Sequence, residues 1–435
     1  MSHHYPHHLV EMLRIKWNAV GSDKLPNSDV LNDLISTCYQ ASIMVEEERS
    51  LQFRLMLIDP ERLAAEDGPP DGLYRLIFNK PRAFSEYELR KLAPAVDFYG
   101  SLIGVNVNAA GELQIWGIVH SGQRWIQAIR GGSLGYSPLP DSLVLYVVRA
   151  GQIVLYKGSE MIAMLSNGRI LTPSKSVLNS RWLKESHGET TMDLWSRHEA
   201  ARSTAAEPWA LLERDFPILI SQQITKRIMS IVRNSHHGGT IISISPERSR
   251  EICSQNNYLD IRYQFKEEEQ RHRFRTLLLE IMKTLAESYG DASRPDRIVG
   301  WKEYITSKND ALRRLDEALF EYAHFVAGLT AVDGAVIMTS RHALIGFGGL
   351  ILGPSDKVKI GRSLDSEGDS AVLESMHRVG MRHMAAYHLC NEMHDAMAMI
   401  ISQDGDVDVV KWKNGIVQCW DVLPYPHFIE DSAAR

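Results

Sequence analysis

Cysteine is scarce in this 435-residue chain and is not clustered. Cys38, Cys253, Cys390 and Cys419 form no Cys-x-x-Cys pair, so neither a zinc site nor a disulfide framework is expected. A reducing cytoplasm suits such a composition. Positive charge is not in excess either. The net charge of -6 leaves no global basic field to hold nucleic acid or an anionic membrane. Neither a DNA-binding helix-hairpin segment nor a basic tail is found, so DNA is not an expected partner. Long apolar runs are missing as well. The longest, between Gly334 and Gly353, is broken by Ser340, Arg341 and His342 and reads as two buried strands, not as a membrane span. The stretch Met1–His8 carries four histidines but lacks the basic region and apolar core of a signal peptide. It is expected to be a solvated tail.

What is present is ordinary globular material, 44% hydrophobic and 23% charged, in a chain long enough for two or three domains. In the N-terminal half Asn27 and Ser28 offer a helix cap before Val30, Leu31, Leu34 and Ile35, with the helix expected to end near Glu46. Strands are expected over 52–58 and 73–78, then a helix opened by the Ser85/Glu88 capping-box pair. From Ser101 the period becomes two. Leu102–Val107 and Leu113–Val119 flank a hairpin connection, and Leu143–Val148, Ile153–Tyr156 and Ile162–Leu165 continue a meander. These 170 residues read as an α+β domain. Arg130–Gly135 is glycine-rich but lacks the strand and helix of a phosphate loop. Trp116, Trp125 and Tyr136 suit core or hairpin packing better than a ligand pocket. Residues 171–208 are polar and suit a helical linker, and 426–435 form a tail.

The C-terminal half, 209–425, alternates helix and strand. An apolar helix face over 218–232 precedes a glycine break and the buried strand Thr240–Ile244. A long helix is expected over 266–288, another from Ser307, and strands over 335–338 and 344–351. A loop through Asp365–Ser370, a helix after Gly380 and strands over 396–402, 407–412 and 416–420 follow, giving a mixed sheet flanked by helices.

Two motifs carry chemistry. Val332-Asp333-Gly334-Ala335 puts an acidic metal binder at the mouth of an apolar strand. Gly380-Met381-Arg382-His383-Met384-Ala385-Ala386 puts two cationic groups at a helix start. Together they resemble the Asp-Gly-Ala and Gly-Thr-Arg-His-Arg-Ala-Ala motifs of the diadenylate cyclase domain family. Two flanking segments extend the resemblance. Asp395-Ala396 followed by Met399–Asp404 is similar to that family's Asp-Ala, apolar strand, Ser-Glu-Glu segment, and Gly238–Ile242 is similar to its first Gly-Ala-Leu-Ile-Val strand. The similarity covers residues 210 to 425. The N-terminal half resembles the sensor domains that precede some of these cyclases.

The resemblance implies an α/β, diadenylate-cyclase-like C-terminal domain that condenses two ATP into cyclic di-AMP with release of pyrophosphate. It implies regulation by the N-terminal domain through a ligand that the sequence does not name. Asp333 would hold Mg²⁺ or Mn²⁺ and activate the 3′-hydroxyl. Gly334 and Ala335 complete the catalytic motif, the glycine letting the ribose approach the backbone. Arg382, His383, Ser402 and Asp404 would bind phosphate. Two active sites must face each other, so a homodimer or a higher assembly is implied. Asp395 is read as structural, capping the turn before its strand. Departures from the motif are Met384 for the second arginine, Met381 for threonine, Gln403 for the first glutamate and Val332 for a common histidine. Losing one arginine contact removes roughly 1.5–3 kcal/mol of charge-assisted bonding. The alternative reading is a catalytically degenerate domain that senses a nucleotide or cyclic dinucleotide.

Overall fold

The structure is a computed structural model that describes residues 3–17, 25–69, 72–98, 100–122, 139–158, 160–172, 176–235, 237–254, 258–266, 269–352, 358–374, 379–403 and 405–422. The chain divides into two compact units, one built mainly from residues 1–129 and 136–173, the other mainly from 174–426.

The first unit has an eight-stranded sheet. Its strands are β1 (Phe53–Leu57), β2 (Tyr74–Ala83), β3 (Ser101–Val107), β4 (Leu113–His120), β5 (Leu143–Arg149), β6 (Gln152–Lys157), β7 (Glu160–Ser166) and β8 (Arg169–Leu171). The order is β8-β7-β6-β5-β1-β3-β4-β2, and only β1 and β3 run parallel. Helices α1 (Pro6–Lys16), α2 (Ser28–Ser42) and α3 (Glu86–Leu92) bury Leu9, Leu13, Leu31, Leu34, Ile35 and Leu89 in one core with Phe53, Leu55 and Leu145. Asn27 and Ser85 cap α2 and α3 by accepting from Val30 N and Glu88 N, as their positions in the sequence suggest.

Two expectations need correction here. The histidine-rich start is not a solvated tail over its described part. Pro6 opens α1, Leu9 and Leu13 are fully buried, and His4 N donates to Gly168 O. Apolar residues just beyond the histidines outweigh the polar start. Helix α2 stops at Ser42, before the acidic run, where Val45–Glu46 and Arg49–Ser50 turn into a short ribbon. Trp116 is a core residue: it is buried, its indole donates to Ile58 O, and Gly104 leaves the space its ring occupies. Trp125, Arg130–Gly135 and Tyr136 lie outside the described residues.

The second unit has a nine-stranded mixed sheet. Its strands are β9 (Gly239–Ile244), β10 (Leu259–Gln264), β11 (Ala335–Thr339), β12 (Leu344–Ile351), β13 (Ile360–Ser363), β14 (Ala371–Glu374), β15 (Met397–Ile401), β16 (Val407–Lys413) and β17 (Ile416–Val422). The order is β10-β12-β11-β9-β15-β16-β17-β13-β14, with β9/β11 and β13/β17 parallel. One face is covered by α4 (Arg181–Ser203), α5 (Phe216–Asn234), α7 (Arg273–Ser288) and α9 (Asp310–Leu329), whose Leu194, Ile228, Leu278 and Val326 share a core with Val336, Ile401 and Val409. The short helices α6 (Pro246–Ser254) and α8 (Trp301–Thr306) fall between them in the chain. The other face carries α10 (Met381–Glu392), whose Ala386, Tyr387 and Cys390 pack with Ile337, Ile400 and Val410. Alternation along the strands sends consecutive side chains to these opposite faces. Strands buried on both sides read as near-continuous apolar runs, which is why Ala335–Met338 and Met397–Ile401 were legible.

The stretch read as linker holds α4, whose Leu183 and Leu194 are buried in this second core. The third long helix begins at Asp310, not Ser307, because Asn309 Oδ1 accepts from Ala311 N and Leu312 N. The helix expected from Lys266 begins at Arg273. Among the described residues no helix is long and apolar enough to cross a membrane. Cys38, Cys390 and Cys419 are free and buried.

Candidate functional site

Register places the motif residues at one end of the second sheet. Thr240 on β9 pairs with Ala335 on β11, and Gly239 pairs with Ile401 on β15. Asp333 and Gly238 therefore each lie two residues before the Thr240/Ala335 pair, at the same end of neighbouring strands. The end of β15, with Ser402 just beyond it, meets them there.

Glycines make this end possible. Gly334 has φ +108, and a Cβ on it would lie 2.7 Å from the carbonyl carbon of Gly348 and 2.9 Å from Gly349 N. Backbone at that distance cannot yield, so the turn that presents Asp333 requires glycine. Gly238 has φ +65, and its Cβ would meet Arg382 Nη1 at 2.6 Å, Ile401 O at 2.8 Å and Gln403 N at 3.2 Å. The Arg382 guanidinium thus rests over this glycine, and its Nη2 donates to His237 O at 3.4 Å. Arg382 is the second residue of α10. Gly380 precedes that helix with no side-chain cap, leaving first-turn N–H groups available beside the guanidinium.

Each motif residue has a definite setting. Asp333 is exposed. Ala335 is buried and begins β11. Ser402 is half-buried; its Oγ accepts from Asp406 N at 3.1 Å while its own N donates to Asp406 O, closing the turn into β16. The hydroxyl hydrogen is not used in that bond. Asp404 lies outside the described residues. His383 is half-buried, and its Nε2 is 2.8 Å from Asp408 Oδ2. Asp408 also accepts from Arg362 Nη1 at 3.3 Å, and Arg362 binds Glu374 at 2.8 Å and Asp421. Asp395 stands at the opposite end of β15, where its carboxylate accepts from Ser245 Oγ and Arg248 Nη2.

The Arg362 network is the part that motif reading missed. Asp408 and Asp421 are register partners on β16 and β17, like charges placed side by side. Such a pair is destabilising unless a cation bridges it, and Arg362 does so. Burial disfavours the Arg362 charge, but the carboxylates of Asp421, Asp408 and Glu374 outweigh it and raise its pKa. Burial likewise works to raise the Asp408 carboxyl, yet His383 and Arg362 hold it below its ordinary value. The signal available in the sequence was two aspartates in otherwise apolar strands, Val407-Asp408-Val409 and Trp420-Asp421-Val422.

The end thus gathers an exposed carboxylate, a guanidinium, free helical N–H groups and a hydroxyl. That set can hold a phosphate and share a cation with it. Among the described residues no group of three or more His, Cys, Asp or Glu gathers into a metal cage. Magnesium needs only one or two carboxylates when substrate phosphates and water complete its shell, so Asp333 fits that role.

The first unit has a cavity of its own, about 410 Å³, lined by residues that include Trp17, Leu57, Asp59, Arg62, Asn106 and Leu143. Asn106 Nδ2 donates to Asp59 Oδ1 at 2.9 Å.

Residues 21–120 match the family described as "Probable sensor domain DACNV". No curated protein and no solved structure matches the chain. The matched segment spans α2 to β4, so the first unit contains a segment similar to a sensor domain.

Proposed function

We propose that the chain is a sensor-regulated diadenylate cyclase, joining two ATP molecules into cyclic di-AMP with release of two pyrophosphates. One observation carries this reading: Arg382 lies over Gly238 at the same sheet end as Asp333 and Ser402. In-line attack of each 3′-hydroxyl on the other ATP's α-phosphate depends on positioning and charge stabilisation. Asp333 would hold a divalent cation, Mg²⁺ or Mn²⁺, which would supply charge stabilisation at the triphosphate, and would activate the 3′-hydroxyl. Arg382 and the N–H groups of α10 bind phosphate, and Ser402 donates its hydroxyl. Two copies face each other to complete the ring. The first unit regulates the second in response to a small molecule, a role supported by its similarity to a sensor domain and by its cavity around Asp59 and Arg62.

A second reading is favoured by a specific observation. His383 spends its Nε2 on Asp408, and Met384 offers no charge where the family carries arginine. A site with one phosphate-binding arginine fits a nucleotide-sensing domain without turnover. Incubation of the full chain with ATP and Mn²⁺ or Mg²⁺, followed by chromatography, separates the two. A cyclic dinucleotide that disappears in Asp333→Ala supports the cyclase. Tight ATP binding with no product under either metal supports the sensor. Offering all four nucleoside triphosphates tests base choice in the same experiment.

A further inference from the structure

The far end of the same sheet holds a second cavity that the proposed chemistry does not use. It measures about 60 Å³ and lies between the sheet and α4 and α5, lined in part by Trp182, Gln222, Met338, Met397, Met399 and Lys411. Ser243, four residues along β9 from Gly239, also lines it, which puts it roughly 13 Å from the phosphate end.

Two groups in this cavity are left with unused capacity. Gln222 is 2% exposed; its Nε2 donates to Leu178 O at 2.9 Å, but its buried Oε1 has no hydrogen-bond partner. An orphaned buried acceptor costs free energy and calls for a donor. Lys411 Nζ donates to the backbone carbonyl of Asp395 across a long 3.5 Å. The Asp395 carboxylate also lines the cavity, but Ser245 and Arg248 hold it. Burial lowers the Lys411 pKa, and the nearby Asp395 carboxylate only partly offsets that cost. Three methionines supply soft, apolar walls between these polar groups.

We infer that this cavity binds a small monocarboxylate bearing a hydroxyl or amino group, the carboxylate on Lys411 and the hydroxyl or amine donating to Gln222 Oε1. The volume is that of about four water-sized groups, which suits an acid of five or six heavy atoms. This site is independent of whether the other end of the sheet turns nucleotides over.

The probes are glycolate, lactate and glycine, with acetate lacking the donor and ethylene glycol lacking the carboxylate. Each is titrated into the full chain to about 50 mM, which reaches millimolar Kd values. Melting temperature and tryptophan fluorescence are recorded. At least one of the three acids raises Tm saturably by about 3 °C or more, while acetate and ethylene glycol bind at least about tenfold more weakly. Lys411→Met and Gln222→Met each weaken that acid about tenfold or more. The comparison of probes on the unaltered chain decides the matter even if a variant fails to fold. No saturable response to any acid means that the cavity holds only water and overturns the proposal. Acetate binding as tightly as glycolate, or variants binding as the parent does, overturns it as well.

Discussion

His383 Nε2 and Asp408 Oδ2 stand 2.8 Å apart, joining the first turn of α10 to the start of β16. The motif histidine is therefore a fastener for the helix that carries Arg382. Removing it in His383→Ala leaves Asp408 with Arg362 as its remaining cation. That change should lower stability by about 1–3 kcal/mol in urea unfolding, the cost of an unpaired buried partner. A double-mutant cycle with Asp408→Ala should return a coupling energy of about 1–3 kcal/mol. A coupling near zero would show that the pair does not anchor α10.

Asp333 and Gly334 are neighbours with opposite expectations. Asp333 is exposed, so Asp333→Ala should change stability by less than about 0.5 kcal/mol. Product formation should nonetheless fall below detection. Gly334→Ala puts a Cβ against the backbone of Gly348 and Gly349 at φ +108, and should cost about 2–3 kcal/mol in addition to function. Paired urea melts and nucleotide assays of the two variants check this contrast.

Acid should loosen the second unit through Asp408. Its folded pKa is depressed, so its stabilising contribution is complete above the unfolded carboxyl value of about 3.9 and is lost as pH falls through the folded value. Melting temperature should therefore drop below about pH 4, and the drop should be shallower in Asp408→Asn, which starts from lower stability. Thermal melts from pH 7 to pH 2.5 measure the slope. An equal slope in the variant would place the acid sensitivity elsewhere.

The buried trio of Arg227, Asp316 and Tyr304 supports the helical layer behind the sheet. Arg227 Nη2 donates to Asp316 Oδ1 at 2.5 Å, and Tyr304 donates to the same oxygen at 2.8 Å, with all three buried. Burial, with the Asp316 charge, raises the Tyr304 pKa well above its ordinary value, so the hydroxyl stays a donor. Asp316→Ala strands a buried guanidinium and should cost about 3–5 kcal/mol. Replacing both partners at once, Arg227→Met with Asp316→Leu, should recover much of that loss in the same melts.

The strands of the second unit were legible because both of their faces are buried, so apolar runs mark them directly. The capped starts of α2 and α3 were legible because Asn27 and Ser85 act within one turn. Strand β10, with its exposed Arg262 and Tyr263, and the edge pair β13 and β14 were missed because partly exposed edge strands lack an apolar signature. At the candidate site, Asp333 and Arg382 stood out by motif. That Gly238 is the surface on which Arg382 rests follows from φ +65 and from the β9/β15 pairing, neither of which a linear string displays. Arg362 escaped notice because its partners are 12, 46 and 59 residues away.

Met384 offers the sharpest test of turnover. It is half-buried in the first turn of α10, one residue beyond His383 and two beyond Arg382, where the resembled motif carries its second arginine. Met384→Arg adds a cation to a helix start that already has one and keeps a long, flexible stem that can reach outward. If the site binds triphosphate, the new charge-assisted bond is worth about 1.5–3 kcal/mol, or roughly tenfold to a hundredfold in ATP affinity or kcat/KM. A gain in product formation would mean that this residue limits a working cyclase. A gain in ATP affinity without product would mean that the site is built for binding. Unchanged affinity, with the variant folded, would place the phosphates out of reach of the side of α10 that carries residue 384, since side chains two residues apart on a helix point in different directions.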